Sequence, residues 1–74
     1  MTVYVLTMGK DLYYASEIYE DACYEKEYTE EETWQGRHQG VKLTQVVIDK
    51  DTPDKMLIMS NGVAYSTESI INLL

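Results

Sequence analysis

Apolar and polar positions alternate with period two at both ends of this chain and follow a longer period between them. Thr2 to Met8 (TVYVLTM) sets Val3, Val5 and Thr7 against Tyr4, Leu6 and Met8. β-Branched and aromatic residues at that spacing predict a strand, and two fairly apolar faces suit a central one. Val41 to Asp49 (VKLTQVVID) predicts another strand, and Lys50 to Asp54 a turn in which Pro53 cannot continue the ladder. Met56 to Ser60 and Val63 to Thr67 flank Asn61-Gly62. Asn-Gly between two strand-like runs predicts a type I′ hairpin, which needs positive φ at both central residues. Thr67 or Ser69 can then cap a last helical turn through Ile70, Ile71, Leu73 and Leu74, folded back onto the core.

The segment from Asp11 to Glu32 admits two readings. In the one adopted here, Asp11 caps a helix that starts at Leu12. At 100° per residue, Leu12, Ala15, Ile18, Tyr19, Ala22 and Cys23 collect on one side. Glu17, Asp21, Tyr24 and Tyr28 collect opposite, with Tyr13 and Glu31 at the edge. Such a helix would be about 33 Å long. In the alternative, Leu12 to Tyr19 is the second arm of a hairpin turning at Gly9-Lys10-Asp11, and a shorter helix follows. Ala22 to Glu32 is helical in both. Carboxylates crowded at its C-terminal end oppose the macrodipole, so fraying is expected after Tyr28. Trp34 to Gly40 (WQGRHQG), with glycines near its ends, reads as a connector.

The expected fold is thus a single α+β domain over residues 1–74, ordered β-α-β-β-β. One antiparallel sheet packs a face against the acidic helix. The alternative begins with an N-terminal β-hairpin.

Charge changes the picture. Asp11 to Glu32 contains nine carboxylates and one lysine, 1 − 9 = −8, while the rest has five bases and four acids, +1; together they give the formal −7. With pI near 4.4, the chain should be repelled by nucleic acid and anionic membranes and attracted to basic protein surfaces. A hydrophobic fraction of 45% excludes a disordered acidic tail, and 74 residues imply modest stability. Seven tyrosines and no phenylalanine give most of the aromatic surface a polar tip. Cys23 is the only cysteine, which excludes an internal disulfide and fits a reducing compartment. The opening MTVYVLTMGK has no basic n-region, and its apolar run is too short for a signal or a membrane span. The cytoplasm is the expected compartment, that of the host if a phage encodes the chain.

No pattern nominates catalytic, cofactor-binding or metal-binding residues, so the expectation is a non-enzyme. Asp49-Lys50-Asp51-Thr52-Pro53-Asp54 starts like a calcium loop. It then places Pro53 at the fifth position, Asp54 where glycine is required and Ser60 where the bidentate glutamate belongs. His38 lies in a loop with no nucleophile or carboxylate spaced to serve it. Cys23 reads as a small buried hydrophobe, and Met8, Met56 and Met59 as core filler. Trp34 reads as a cap on one end of the core or as an interface anchor.

The acidic, tyrosine-bearing face remains. Residues three and four apart on a helix are neighbours, so it presents a row of negative charge and flat aromatic surface. Concentrated like charge opposes compaction and calls for a use. Glu17, Glu20, Asp21, Glu25, Glu27, Glu30, Glu31 and Glu32 are the candidates to supply phosphate-like charge, with Tyr13, Tyr24, Tyr28 and Trp34 as apolar anchors. In size and charge pattern the chain resembles the DNA-mimic inhibitors of phages and mobile elements: anti-restriction, anti-CRISPR and uracil-DNA glycosylase inhibitor proteins. That resemblance implies a basic partner with a nucleic-acid-binding groove, and no direct binding to nucleic acid or membrane. It rests on no motif and carries over no individual residue. The alternatives are a homodimeric structural or regulatory module, formed through the sheet's free face or edge, and an antitoxin-like neutraliser of a basic toxin.

Overall fold

The structure, a computed structural model, describes residues 1–49, 51 and 54–74. Strand β1 (Thr2–Met8) turns at Gly9-Lys10 into β2 (Asp11–Ser16). Helix α1 (Tyr19–Glu32) is followed by a short helix α2 (Trp34–Gln39) and by strand β3 (Lys42–Val47). Strands β4 (Met56–Ile58) and β5 (Ala64–Ser66) form a hairpin, and helix α3 (Thr67–Ile71) ends the order. The α+β class stands as expected. The N-terminal half follows the hairpin alternative, so Asp11 opens a strand instead of capping a helix.

β1 is central, paired antiparallel with β2 on one side and β3 on the other. The N–H of Met1 donates to the Ile48 carbonyl at 3.0 Å and the N–H of Ile48 to the Met1 carbonyl at 2.8 Å, which lengthens the ladder by one pair. In β1–β2, Leu6 faces Tyr14 but Thr7 faces Leu12, leaving Tyr13 as the extra residue of a β-bulge. Leu12 and Ala15 therefore share a sheet face although they are three residues apart. Spacing of that kind looks helical in sequence, and it is what favoured the helix over this segment.

Both faces of the sheet are covered, where one was expected. Val3, Val5, Ala15 and Val46 pack with Ile48, Met59 and Ile70 beneath the β4–β5 hairpin and α3. On the other face Leu6 and Val41 meet Ala22 of α1, flanked by Tyr4, Tyr13, Tyr14 and Leu43. Strand β1 is apolar on both sides because it has a layer on each.

The Asn61-Gly62 turn differs from the two-residue form. Gly62 has φ +80°, and among the described residues no non-glycine residue has positive φ. The Gly62 N–H donates to the Met59 carbonyl at 2.9 Å and the Met59 N–H to the Val63 carbonyl at 3.1 Å. This is a three-residue loop closed by a glycine bulge, which spares Asn61 the left-handed conformation. The Asn61 side chain is thereby free to accept from the Val63 N–H at 3.0 Å and to donate to the Gly9 carbonyl at 2.9 Å, joining the two hairpins. The Tyr65 hydroxyl donates to the Lys10 carbonyl beside it.

Several smaller expectations are corrected. Ser66, not Thr67 or Ser69, caps α3 by accepting from the Ser69 N–H at 3.1 Å. Ile70 reaches the core, but Leu73 and Leu74 remain exposed. Met59 is core and Met8 half-buried, whereas Met56 points outward from β4. Of the turn and the calcium-like spacing read over 50–54, Lys50, Thr52 and Pro53 lie outside the described residues.

Candidate protein-binding face

α1 has 14 residues, about 21 Å of helix instead of the longer rod expected from Leu12. Ala22 and Thr29 are its buried residues, with Cys23, Glu25, Lys26 and Glu30 half-buried around them. Small side chains on that side let the helix sit low on Leu6 and Val41. Tyr19 meets Tyr4 edge to face with centroids 5.2 Å apart, which fixes the first turn over the sheet. Cys23, hydrogen-bonded to Tyr19, raises the Tyr19 hydroxyl above its ordinary pKa.

The C-terminal end is held rather than frayed, and the helix runs on past Tyr28 to Glu32. The Thr33 N–H and hydroxyl both donate to the Thr29 carbonyl, at 3.2 and 2.6 Å. The Thr33 hydroxyl also accepts from the Gly36 N–H at 3.0 Å, which caps α2. Gly40, with φ +73°, ends α2. The expected connector is thus a helix framed by Thr33 and Gly40, a cap pair visible in the sequence. Gly36 lies against α1: a Cβ there would stand 2.0 Å from the Thr29 carbonyl oxygen.

Eight α1 residues are exposed; Tyr19 leans on Tyr4, and the other seven, Glu20, Asp21, Tyr24, Glu27, Tyr28, Glu31 and Glu32, form an outer arc. At 3.6 residues per turn these seven occupy about 140° of arc and about 18 Å of axis. Five are carboxylates, two are tyrosines, and none is basic. Lys26 projects from the opposite side and donates to Glu30 Oε1 at 2.8 Å, the one ion pair among the described residues. No described residue neutralises the exposed carboxylates. Tyr24, Glu27, Tyr28, Glu31 and Glu32 line one shallow depression, so the rings and carboxylates form a continuous surface.

The other residues expected on this face lie elsewhere. Tyr13 is on β2 in the cluster beneath α1, where burial, with Glu25 and Glu30 nearby, raises its hydroxyl above the ordinary tyrosine pKa. Glu17 is exposed in the connector ahead of α1, and Glu25 is half-buried on the flank nearer Tyr13. Glu30 serves the fold: Oε1 takes Lys26, Oε2 accepts the Val41 N–H at 3.2 Å, and these two bonds hold its carboxyl below the usual glutamate pKa. Trp34 does not cap the core. It is 67% exposed on α2, with its ring 4.3 Å from that of His38. Cys23 is only half-buried, at the rim of a second depression shared with Tyr19, Lys26 and Leu43.

Among the described residues, no group of three or more His, Cys, Asp or Glu side chains is placed to hold a metal ion. No helix among them is long and apolar enough to cross a membrane. Comparison of the chain with protein-family models, with curated proteins and with solved structures finds no match to any of them.

Proposed function

We propose that this chain is a small acidic inhibitor that occupies a basic, nucleic-acid-binding groove on a partner protein. The role is that of the DNA-mimic counter-defence proteins of phages and mobile elements, and it involves binding without catalysis. The observation that carries the reading is the outer arc of α1, with five carboxylates, two tyrosines and no base or internal ion pair. Like charges so close raise the free energy of the folded chain, and a cationic surface on another protein relieves that repulsion. The cytoplasm, of the host where a phage supplies the chain, is where such a partner would be met. An antitoxin-like neutraliser of a basic toxin would use the same electrostatics with a partner that binds no nucleic acid.

The test is retention of partner proteins on the immobilised chain from a lysate of its source or host, at low and at high salt. Proteins that bind nucleic acid, leave as salt rises and are displaced by added nucleic acid are the expected outcome. Retention indifferent to salt, or of proteins that bind no nucleic acid, would overturn the reading.

One observation favours a second reading, a homodimeric module. Met56 and Ile58 point outward from β4, Ile58 being 74% exposed, and Ala64 lies exposed opposite Ile58 on β5. A dimer through this apolar face would hold at high salt in sedimentation, and an outward Ile58→Glu would dissociate it.

A further inference from the structure

Tyrosine is used in two ways in this fold. Tyr4, Tyr13, Tyr14 and Tyr65 are half-buried and pack against the two cores. Tyr19, though exposed, is braced against Tyr4. Tyr24 and Tyr28 are different: 71% and 51% exposed, they belong to neither core cluster and share one depression with Glu27, Glu31 and Glu32. Four apart on the helix, they stand side by side, and Glu27 and Glu31 each lie three residues beyond one of them.

A nucleic-acid duplex shows a partner its phosphates and the edges of its bases, because the base faces are stacked inside. A single strand shows phosphates and flat aromatic faces together. Proteins that hold single strands answer with a basic groove and aromatic platforms on which the bases stack. A duplex-binding groove gives two exposed rings nothing to stack on.

Resting on the inhibitor reading above, we infer that the outer face of α1 imitates a single strand. Its carboxylates take the place of phosphates, Tyr24 and Tyr28 take the place of unstacked bases, and the partner's groove is one that holds single-stranded DNA or RNA. Charge complementarity accounts for the basic residues of that groove, and the two rings account for its aromatic ones.

The experiment uses the full chain and the protein it retains at low salt. Retained protein is challenged with a short oligothymidylate and, at equal phosphate concentration, with duplex DNA. Oligothymidylate is expected to release it at a concentration about tenfold lower than duplex. Preferential release by duplex would overturn this inference and leave the inhibitor reading standing, whereas release by neither would overturn both. A variant carrying Tyr24→Ser and Tyr28→Ser, with charge unchanged, is expected to bind at least about thirtyfold more weakly with the same salt dependence. One carrying Tyr24→Phe and Tyr28→Phe keeps the rings and should bind within about twofold of the parent. Both variants alter exposed positions, and a circular-dichroism melt verifies that each folds. Undiminished binding by the serine variant would refute the role given to the rings.

Discussion

Glu30 of α1 accepts a hydrogen bond from the backbone N–H of Val41 across 3.2 Å, so a carboxylate in the acidic stretch ties the helix to the chain entering β3. Its second oxygen takes Lys26, and the two bonds together depress its pKa. A carboxylate whose pKa is lower folded than unfolded stabilises the fold above its unfolded pKa. That stabilisation is lost as pH falls through the folded value. Glu30→Gln should therefore be less stable than the parent by about 1 kcal/mol near neutrality. The gap should hold constant down to about pH 5.5 and then close as the parent's carboxylate takes up its proton. Urea melts of both proteins across this range check it. A gap that persists unchanged at the lowest pH would assign the effect to packing.

Gly36 is where α2 meets α1. A methyl group there would sit 2.0 Å from the Thr29 carbonyl oxygen and 2.7 Å from the Thr33 hydroxyl oxygen. Alanine is the better helix former by about 1 kcal/mol, but the clash is with backbone and cannot be relieved by a rotamer change. Gly36→Ala is expected to cost about 3 kcal/mol, while Gln35→Ala, exposed on the same helix, should cost nothing measurable. Thermal melts of the pair read this directly. Equal melting temperatures would mean that the two helices are not packed this closely.

Asn61 joins the hairpins through separate atoms: Oδ1 accepts from Val63 within its own loop, and Nδ2 donates to Gly9 in the other. Asn61→Ala removes both bonds and should cost about 1–2 kcal/mol. Asn61→Asp keeps the acceptor for Val63 but sets a carboxylate against the Gly9 carbonyl. If the link between hairpins is the larger part, Asp should be as damaging as Ala near neutrality and should recover as the carboxyl is protonated. Hydrogen exchange at Val63 and at the β1–β2 turn separates the local effect from the distant one.

The central strand was legible because Thr2 to Met8 alternates without interruption, and Ala22 to Glu32 was legible as helix under either reading. Leu12 to Ser16 was not, because one extra residue at Tyr13 turns a spacing of two into a spacing of three, and the pairing that settles it comes from Leu6 and Thr7. Trp34 to Gln39 looked like a loop because of its glycine, although Gly36 is there for close approach to Thr29, a contact absent from any local pattern. The candidate face was legible in composition but not in membership. Glu20, Asp21, Tyr24, Glu27, Tyr28, Glu31 and Glu32 do gather on one arc, while Tyr13 lies on β2 in the cluster beneath α1, Glu25 is half-buried on the helix flank, and Glu30 is bonded to the Val41 N–H at the start of β3. Charge counts alone cannot distinguish a carboxylate that faces solvent from one that bonds a backbone N–H.

If the arc of α1 is kept for a partner, stability and binding should move in opposite directions at Glu31. It lies four residues after Glu27, a like-charge neighbour, in the last turn of a helix that has no base there. Glu31→Lys replaces that repulsion with an ion pair in the favourable order, the acid N-terminal to the base, and sets a cation at the negative end of the macrodipole. Together these should add about 1 kcal/mol, a rise of about 4–8 °C in Tm for a domain of this length. The same substitution reverses a charge within the proposed interface and should weaken partner binding by at least about tenfold, with a shallower dependence on salt. A thermal melt and a binding titration on this single variant measure both. A variant that is more stable and binds as well as the parent would show that the carboxylates of α1 do no more than solvate the helix.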